Sequence, residues 1–395
     1  MLNTPNANRT HIGIFGKMNS GKSSLLNAIT NQNISIVSNF KGTTTDSVLK
    51  SMELIPYGPV LFIDTAGLND SGEVGNLRVK KALDELKRVN FALFIMDGKD
   101  IDDSFYKEQL LNYKKYNIPH LLIINKKDLL SEEEIKYLAN KYPEALIVSS
   151  NNSEDILNLK EHLINKLTIE ESEPSLLGGL LPYNSLIVLV VPIDSEAPKG
   201  RLILPQVQIL RDALDNGIQS IVVRDTELEE VLNKFKNIDL IITDSQAFKK
   251  VNEIVADRYP LTSFSILFAR QKGDLKTFIE GIKAINNLKD GDYILISESC
   301  SHNTSHEDIG RVKIPNLLKK YTLKQINFEY SMGKDFPDDL NKYALIIHCG
   351  SCMLNKKIMM NRIAEVKKNN VPITNYGVTL AYLTGILEKS TKIFN

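Results

Sequence analysis

The chain has 395 residues, 43% apolar and 24% charged, which suits a folded globular protein too long for one ordinary core, so two or three domains are expected. Lys and Arg number 48, and so do Asp and Glu, which removes any overall electrostatic case for nucleic acid or an anionic membrane. The polar start MLNTPNANRTH lacks a signal-peptide core, apolar runs such as LIVLVV fall far short of the roughly 20 residues that span a bilayer, and three cysteines do not make a disulfide framework, so the expected setting is reduced and cytoplasmic.

From residue 11 to about 168, short apolar runs alternate with amphipathic stretches. HIGIFG, VLFIDTAG, FALFIMDG, HLLIINKKD and ALIVSS read as buried strands; KSSLLNAIT, GNLRVKKALDELKRV and SEEEIKYLANKY read as helices by their 3–4 spacing. That alternation implies an α/β fold with a mostly parallel, doubly wound sheet. TIEESEPSLLGGLLPYN (168–184), acidic with Pro and paired Gly, is the first candidate linker.

Within this segment GKMNSGKS (16–23) follows a strand and opens a helix, the context in which G-x-x-x-x-G-K-S binds phosphates. Gly16 and Gly21 let backbone N–H groups wrap the phosphates at the positive end of a helix. Lys22 would neutralise the β- and γ-phosphates, and the Ser23 hydroxyl would ligate Mg²⁺. DTAG (64–67) ends the next strongly apolar strand, so Asp64 can reach Mg²⁺ and the Gly67 N–H can sense a γ-phosphate. In NKKD (125–128), Asp128 can accept from the N1–H and 2-amino group of guanine while Asn125 meets the base edge; adenine lacks that donor pair, so the site prefers GTP. VSSNN (148–152) supplies a loop to close over the base, and KGTTTD (41–46) a switch loop with Thr44, ahead of its neighbours Thr43 and Thr45, as its Mg²⁺ ligand. The candidate nucleotide contacts are Gly16, Asn19, Ser20, Gly21, Lys22, Ser23, Ser24, Asn125, Lys126, Asp128, Ser149 and Ser150, with Lys22, Thr44, Asp64 and Gly67 as the catalytic group.

In this order the motifs resemble the TrmE–Era–EngA group of P-loop GTPases. Asn19 matches the asparagine that in this group helps ligate K⁺, and Leu68 stands where Ras-like proteins carry a catalytic glutamine. The resemblance implies slow intrinsic hydrolysis of GTP, assisted by Mg²⁺ and K⁺.

A second segment (180–265) has strands SLIVLVVPI, QSIVVRD and DLIITDSQ separated by helices LPQVQILRDALDNG and LEEVLNKFKN. It lacks clustered catalytic residue types, and its polar loop IDSEAPKGRLILPQ fits an interaction or structural role. The third segment (270–395) has the strand GDYILISESC reaching Cys300 and the strand KYALIIHCGSC reaching His348, then the helix LNKKIMMNRIAEVKKN, VPITNYG and the helix TLAYLTGIL. KKYTLKQINFEY (319–330) reads as a solvated helix or loop, and the chain carries no evident internal repeat.

Six of the chain's nine Cys and His residues lie between 300 and 352. Cys300, Cys349 and Cys352 sit just beyond the carboxyl ends of two parallel strands, the edge where open α/β sheets bind ligands. Three thiolates with a histidine suit tetrahedral zinc, three thiolates also hold three irons of a [4Fe-4S] cluster, and thiol redox chemistry at the C-x-x-C is a third reading. His302, His306, His348 and Glu298 are candidates for a fourth ligand.

Taken whole, the TrmE-like domain, the middle segment with PIDSEAPKGRLILPQ and the pattern Cys300, His302, His348, Cys349, Cys352 resemble the HydF family of [FeFe]-hydrogenase maturation GTPases. The resemblance implies a homodimer joined through the middle segment and a [4Fe-4S] cluster on the three cysteines. It also implies a scaffold that receives a transient diiron H-cluster precursor from two radical-SAM maturases and passes it to apo-[FeFe]-hydrogenase, without nucleic acid or membrane. The rival expectation is an RNA- or ribosome-directed GTPase with a structural zinc site, against which stands the lack of a basic stretch interleaved with aromatics.

Overall fold

The computed structural model describes residues 4–30, 48–64, 85–170, 174–193, 200, 202–299, 309–333, 335–337, 339–351 and 354–394. They fall into two compact units, Met1–Ser172 and Glu173–Asn395.

The first unit contains β1 (Thr10–Phe15), α1 (Lys22–Thr30), β2 (Val48–Leu54), β3 (Gly58–Asp64), β4 (Phe91–Asp97), α2 (Asp103–Lys115), β5 (His120–Asn125), α3 (Glu132–Lys141), β6 (Leu146–Ile147) and α4 (Ser153–Glu170). The sheet order is β2-β3-β1-β4-β5-β6. Every neighbouring pair is parallel except β2 and β3. The central strands read as unbroken apolar runs because helices cover both faces. Ile12 and Ile14 of β1 join Leu25, Leu26 and Ile29 of α1 and Leu159 and Leu163 of α4 in one core. Phe15, one residue on, joins Phe94, Phe105 and Tyr113 in the core of the opposite face. The edge strand β2, VLKSMEL, was not among the expected strands; its alternating, largely exposed residues give no apolar run. The helix expected over GNLRVKKALDELKRV lies mostly outside the described residues.

The second unit holds two four-stranded parallel sheets. The first comprises β7 (Leu186–Val190), β8 (Gln219–Val223), β9 (Leu240–Thr243) and β10 (Leu261–Ser263), with α5 (Leu204–Asp215), α6 (Leu228–Lys234), α7 (Phe248–Val255) and then α8 (Phe264–Lys272) and α9 (Leu275–Gly281). The second comprises β11 (Tyr293–Glu298), β12 (Asn327–Met332), β13 (Tyr343–His348) and β14 (Ile373–Asn375), with α10 (Ile314–Thr322), α11 (Lys356–Lys368) and α12 (Tyr376–Leu383). Their orders are β10-β9-β7-β8 and β12-β11-β13-β14, the same topology laid down twice: second, first, third, fourth.

This repeat corrects the expectation that none exists. At matching places in the two topologies, GRLILPQ (200–206) corresponds to GRVKIPN (310–316), and PLTSFSILFA (260–269) to PITNYGVTLA (372–381). Each places Pro in the first turn of the helix after its first strand. Each caps the helix after its fourth strand with a polar residue: Ser263 accepts from the Ile266 N–H and Asn375 from the Val378 N–H. The counterparts Ser265 and Gly377 touch, since a Cβ on Gly377 would lie 2.3 Å from Ser265 Oγ. One apolar core runs through both sheets, from Val188 and Ile241 to Ile296 and Leu345. The stretch 319–330, expected as a solvated helix or loop, instead ends α10 and begins the edge strand β12. Half of the expected linker is also structural: Leu176 and Leu177 are core residues, and their backbone N–H groups donate to Asp212, each at 2.9 Å.

Candidate functional site

The phosphate loop joins β1 to α1 through three backbone conformations of positive φ: Gly16 at 146°, Asn19 at 64° and Gly21 at 88°. Glycine is required at 21 on a second ground, because a Cβ there would lie 2.2 Å from Asn125 Nδ2. Lys22 is buried, and its ammonium donates to the carbonyls of Gly16 (3.0 Å) and Lys17 (2.7 Å). Burial holds its pKa below the usual lysine value, opposed by the nearby Asp64 carboxylate. Ser23 Oγ donates to Asp64 Oδ2 at 3.0 Å, bringing together the two expected Mg²⁺ ligands that the structure describes. Burial raises the Asp64 pKa, while Ser23, Lys22 and Lys50 pull it back. Asn19 and Ser24 are exposed, and Ser20 is buried. Thr44 and Gly67 lie outside the described residues.

The residues expected to recognise the base gather at the carboxyl ends of β5 and β6. Asn125 Nδ2 donates to the Ser20 carbonyl at 3.1 Å, tying this loop to the phosphate loop, and Asn125 Oδ1 accepts from Ser150 Oγ at 3.0 Å. Ser149 Oγ donates to Asp128 at 2.6 Å. Lys126 takes the left-handed conformation and pairs with Asp97 at 2.5 Å. One ion pair escaped the sequence reading: Lys17 of the phosphate loop meets Asp102, the N-cap of α2, at 2.6 Å.

In the second unit, β11 and β13 run side by side with Ser297 opposite His348. Cys349 follows His348, its thiol buried, and the Ser299 N–H donates to its sulfur at 3.0 Å. The Ser299 hydroxyl lies 2.6 Å from the same sulfur. Cys300, Cys352, His302 and His306 lie outside the described residues. Among the described residues, no three His, Cys, Asp or Glu side chains sit close enough together to hold a metal ion.

His348 is fully buried, and burial, followed by the Arg362 charge, pushes its pKa down to about 3. Its Nε2 lies 2.8 Å from Arg362 Nη1 and its Nδ1 3.0 Å from the Cys349 carbonyl. An arginine N–H can only donate, so Nε2 is the acceptor and Nδ1 carries the proton. Both ring nitrogens are thus engaged by protein groups. Glu298 is held by Arg311, whose Nη2 donates at 2.9 Å and whose guanidinium lies over the Tyr330 ring. Arg362, Ser297 and Ser299 were missed by the sequence reading. Arg362 had a legible signal, standing on the buried face of α11 with Met359, Ile363 and Val366 at 3–4 spacing.

Comparison with known proteins follows the same division. The family model described as 50S ribosome-binding GTPase matches residues 11–126. The models described as Hydrogen maturase F dimerization domain and Hydrogen maturase F tetramerization domain match residues 176–273 and 276–393, more than half of the chain between them. The chain belongs to the HydF-type hydrogenase maturase GTPases. Its first domain is a P-loop GTPase domain, and the two repeats of the second unit coincide with the two HydF self-association domains, dimerization first and tetramerization second.

Among curated relatives, the tRNA modification GTPase MnmE of Flavobacterium johnsoniae is 32% identical over 236 residues, covering 57% of this chain and 47% of the relative. GTPase Der of Campylobacter concisus is 30% identical over 213 residues, covering 52% of this chain and 46% of the relative. The chain therefore spans less than half the length of either. A solved structure of Aquifex aeolicus Era bound to GDP and aluminium fluoride aligns with 62% of this chain and 98% of its own at 18% identity, with a TM-score of 0.33. No described helix is long and apolar enough to cross a membrane.

Proposed function

We propose that this HydF-type chain is a GTP-hydrolysing scaffold that binds a [4Fe-4S] cluster and delivers the diiron precursor of the H-cluster to apo-[FeFe]-hydrogenase, after receiving it from two radical-SAM maturases. The observation that carries the reading is the combination in one chain of a GTPase domain, both HydF domains and Cys349 at a carboxyl strand edge with its sulfur beside Ser299. On this reading the chain divides into a GTP-binding domain (1–170), a dimerisation domain (180–265) that joins a homodimer, and a cluster domain (270–395).

In the first domain, Gly16, Ser20, Gly21, Lys22 and Ser24 hold the phosphates, and Asn125, Lys126, Asp128, Ser149 and Ser150 hold guanine. Ser23, Thr44 and Asp64 bind Mg²⁺, Gly67 senses the γ-phosphate, and Asn19 binds K⁺. Asp64 fits its role: a carboxylate near Lys22 and within hydrogen-bond reach of Ser23. In the third domain, Cys300, Cys349 and Cys352 hold the cluster, and the Ser299 N–H and hydroxyl fit a thiolate at Cys349. When bound, a cluster held by three thiolates supplies one iron open to an exchangeable group. Glu298, His302 and His348 are the candidates for that position. His348 enters it only by giving up its contact with Arg362 or with the Cys349 carbonyl, and Glu298 only by loosening its tie to Arg311.

GTP turnover compared in K⁺ and Na⁺ buffers tests the first half: hydrolysis is faster in K⁺, and Asn19→Ala removes the difference. Equal rates in both salts for the wild-type protein contradict the role given to Asn19. Transfer of iron to apo-hydrogenase tests the second half: it requires Cys349, and Cys349→Ala protein that transfers iron as well as the wild type contradicts the reading.

A further inference from the structure

Arg362 is a buried charge at the cysteine-bearing edge to which the reading above assigns no role of its own. It is 5% exposed, and its guanidinium donates to His348 Nε2 at 2.8 Å, to the Gly333 carbonyl at 2.8 Å and to Ser297 Oγ at 3.4 Å. It also packs on the Phe336 ring, 4.9 Å from the centroid. All of these partners are neutral. Among the described residues no carboxylate is ion-paired with it, and the charges that oppose its burial are, largest effect first, those of Cys349, Glu365 and Asp335. Burying a guanidinium without an anion is unfavourable, and hydrogen bonds to neutral acceptors only partly offset it. Cys349 is the residue at this edge whose chemistry supplies an anion, because a metal-bound cysteine is a thiolate.

We propose that Arg362 is the counter-charge of the cysteine edge, a buried cation that offsets the negative charge of a thiolate-held metal centre while fixing the His348 ring in place. This rests on the cluster reading given above. The position suits a field acting through the protein: Arg362 reaches the edge from α11, on the far side of His348 from the Cys349 carbonyl. A fixed positive charge there favours the form of the centre with one more electron.

The test uses the full-length chain, reconstituted without oxygen with iron and sulfide, as wild type, Arg362→Lys and Arg362→Gln. Each is titrated with dithionite, which supplies one electron per cluster, and followed by EPR. The Arg362→Gln midpoint falls by about 59 mV, a tenfold loss of electron affinity for a one-electron couple, and Arg362→Lys recovers most of it. Thermal unfolding gives a second readout: cluster loading raises Tm more in the wild type than in Arg362→Gln. If Arg362→Gln does not fold, Arg362→Met, which keeps an apolar stem against Phe336, takes its place. A loaded Gln variant with an unmoved midpoint overturns the proposal, and so do equal falls for Lys and Gln, which would make Arg362 a geometric clamp. Wild-type protein that takes up no cluster overturns the cluster reading and this proposal together, and is recognisable because it precedes any substitution.

Discussion

The phosphate loop of the first unit and the cysteine edge of the second solve a similar problem in different ways. Each lies at the carboxyl ends of parallel strands, and each keeps a buried cation hydrogen-bonded to backbone carbonyl oxygen: Lys22 on Gly16 and Lys17, Arg362 on Gly333. Lys22 has a carboxylate, Asp64, to offset its burial; the direct partners of Arg362 are neutral. The phosphate loop is made largely of backbone, so its glycines and lysine are fixed in spacing and stand out in the sequence. The cysteine edge is made of side chains delivered by β11, β13 and α11, spread over more than sixty positions from Ser297 to Arg362. The difference teaches that a site built from backbone is written locally, whereas a site built from supporting side chains is written across the fold.

The largest test of the comparison is Lys22→Ala. Loss of a charge-assisted contact of about 3 kcal/mol weakens GTP binding roughly a hundredfold. Titration with a fluorescent GTP analogue reads this, while iron uptake at the cysteine edge stays at the wild-type level. A fall in iron uptake would break the comparison, by showing that the two edges are not separately built.

The next effect comes from the contact between repeat counterparts. Gly377→Ala puts a Cβ 2.3 Å from Ser265 Oγ and costs about 1–3 kcal/mol in chemical denaturation of the second unit. Ser265→Gly in the same chain restores most of it. Additive losses in the double variant would contradict direct packing of the two repeats at this point.

Ser299→Ala removes a hydroxyl from the Cys349 sulfur but leaves the backbone N–H. The expected cost is about 1 kcal/mol. It appears as a downward shift of the cluster midpoint smaller than that of Arg362→Gln; an equal or larger shift would move the dominant role from the charge to the hydroxyl.

The smallest effect lies away from both edges. His11, near the amino end of β1, is buried, and burial holds its pKa below the ordinary value of 6.5. Below that value the unfolded chain takes up a proton that the folded chain resists, so the first unit loses stability as pH falls through 6.5 and beyond. His11→Gln flattens the slope of unfolding free energy against pH in that range by less than about 1 kcal/mol per pH unit, read by chemical denaturation at several pH values. An unchanged slope would place the acid sensitivity elsewhere.

Most of the first unit was legible because its strands are unbroken apolar runs and its motifs end them. The exceptions are edge strands. VLKSMEL and NFEYSM each have one side open to solvent, so neither makes an apolar run, and missing NFEYSM as β12 hid the repeat in the second unit. The repeat was further masked because the two carboxyl edges carry different residues: Thr243 and Asp244 stand where the other sheet has His348 and Cys349. Of the candidate sites, the phosphate-loop and expected base-binding residues came from local motifs at strand ends, and the K⁺ role of Asn19 from the resemblance. Cys349 came from crowding of ligand types, while its supports Ser299 and Arg362 depend on strand register and helix packing that no local pattern records.

The most direct measurement is iron, sulfide and zinc analysis with EPR on wild-type protein and Cys349→Ala, both purified and reconstituted without oxygen. The account predicts about four irons per wild-type chain and a reduced-cluster signal that is lost in the variant. Stoichiometric zinc in wild-type protein that cannot be made to hold iron would contradict it, and would turn the HCGSC edge into a structural clasp.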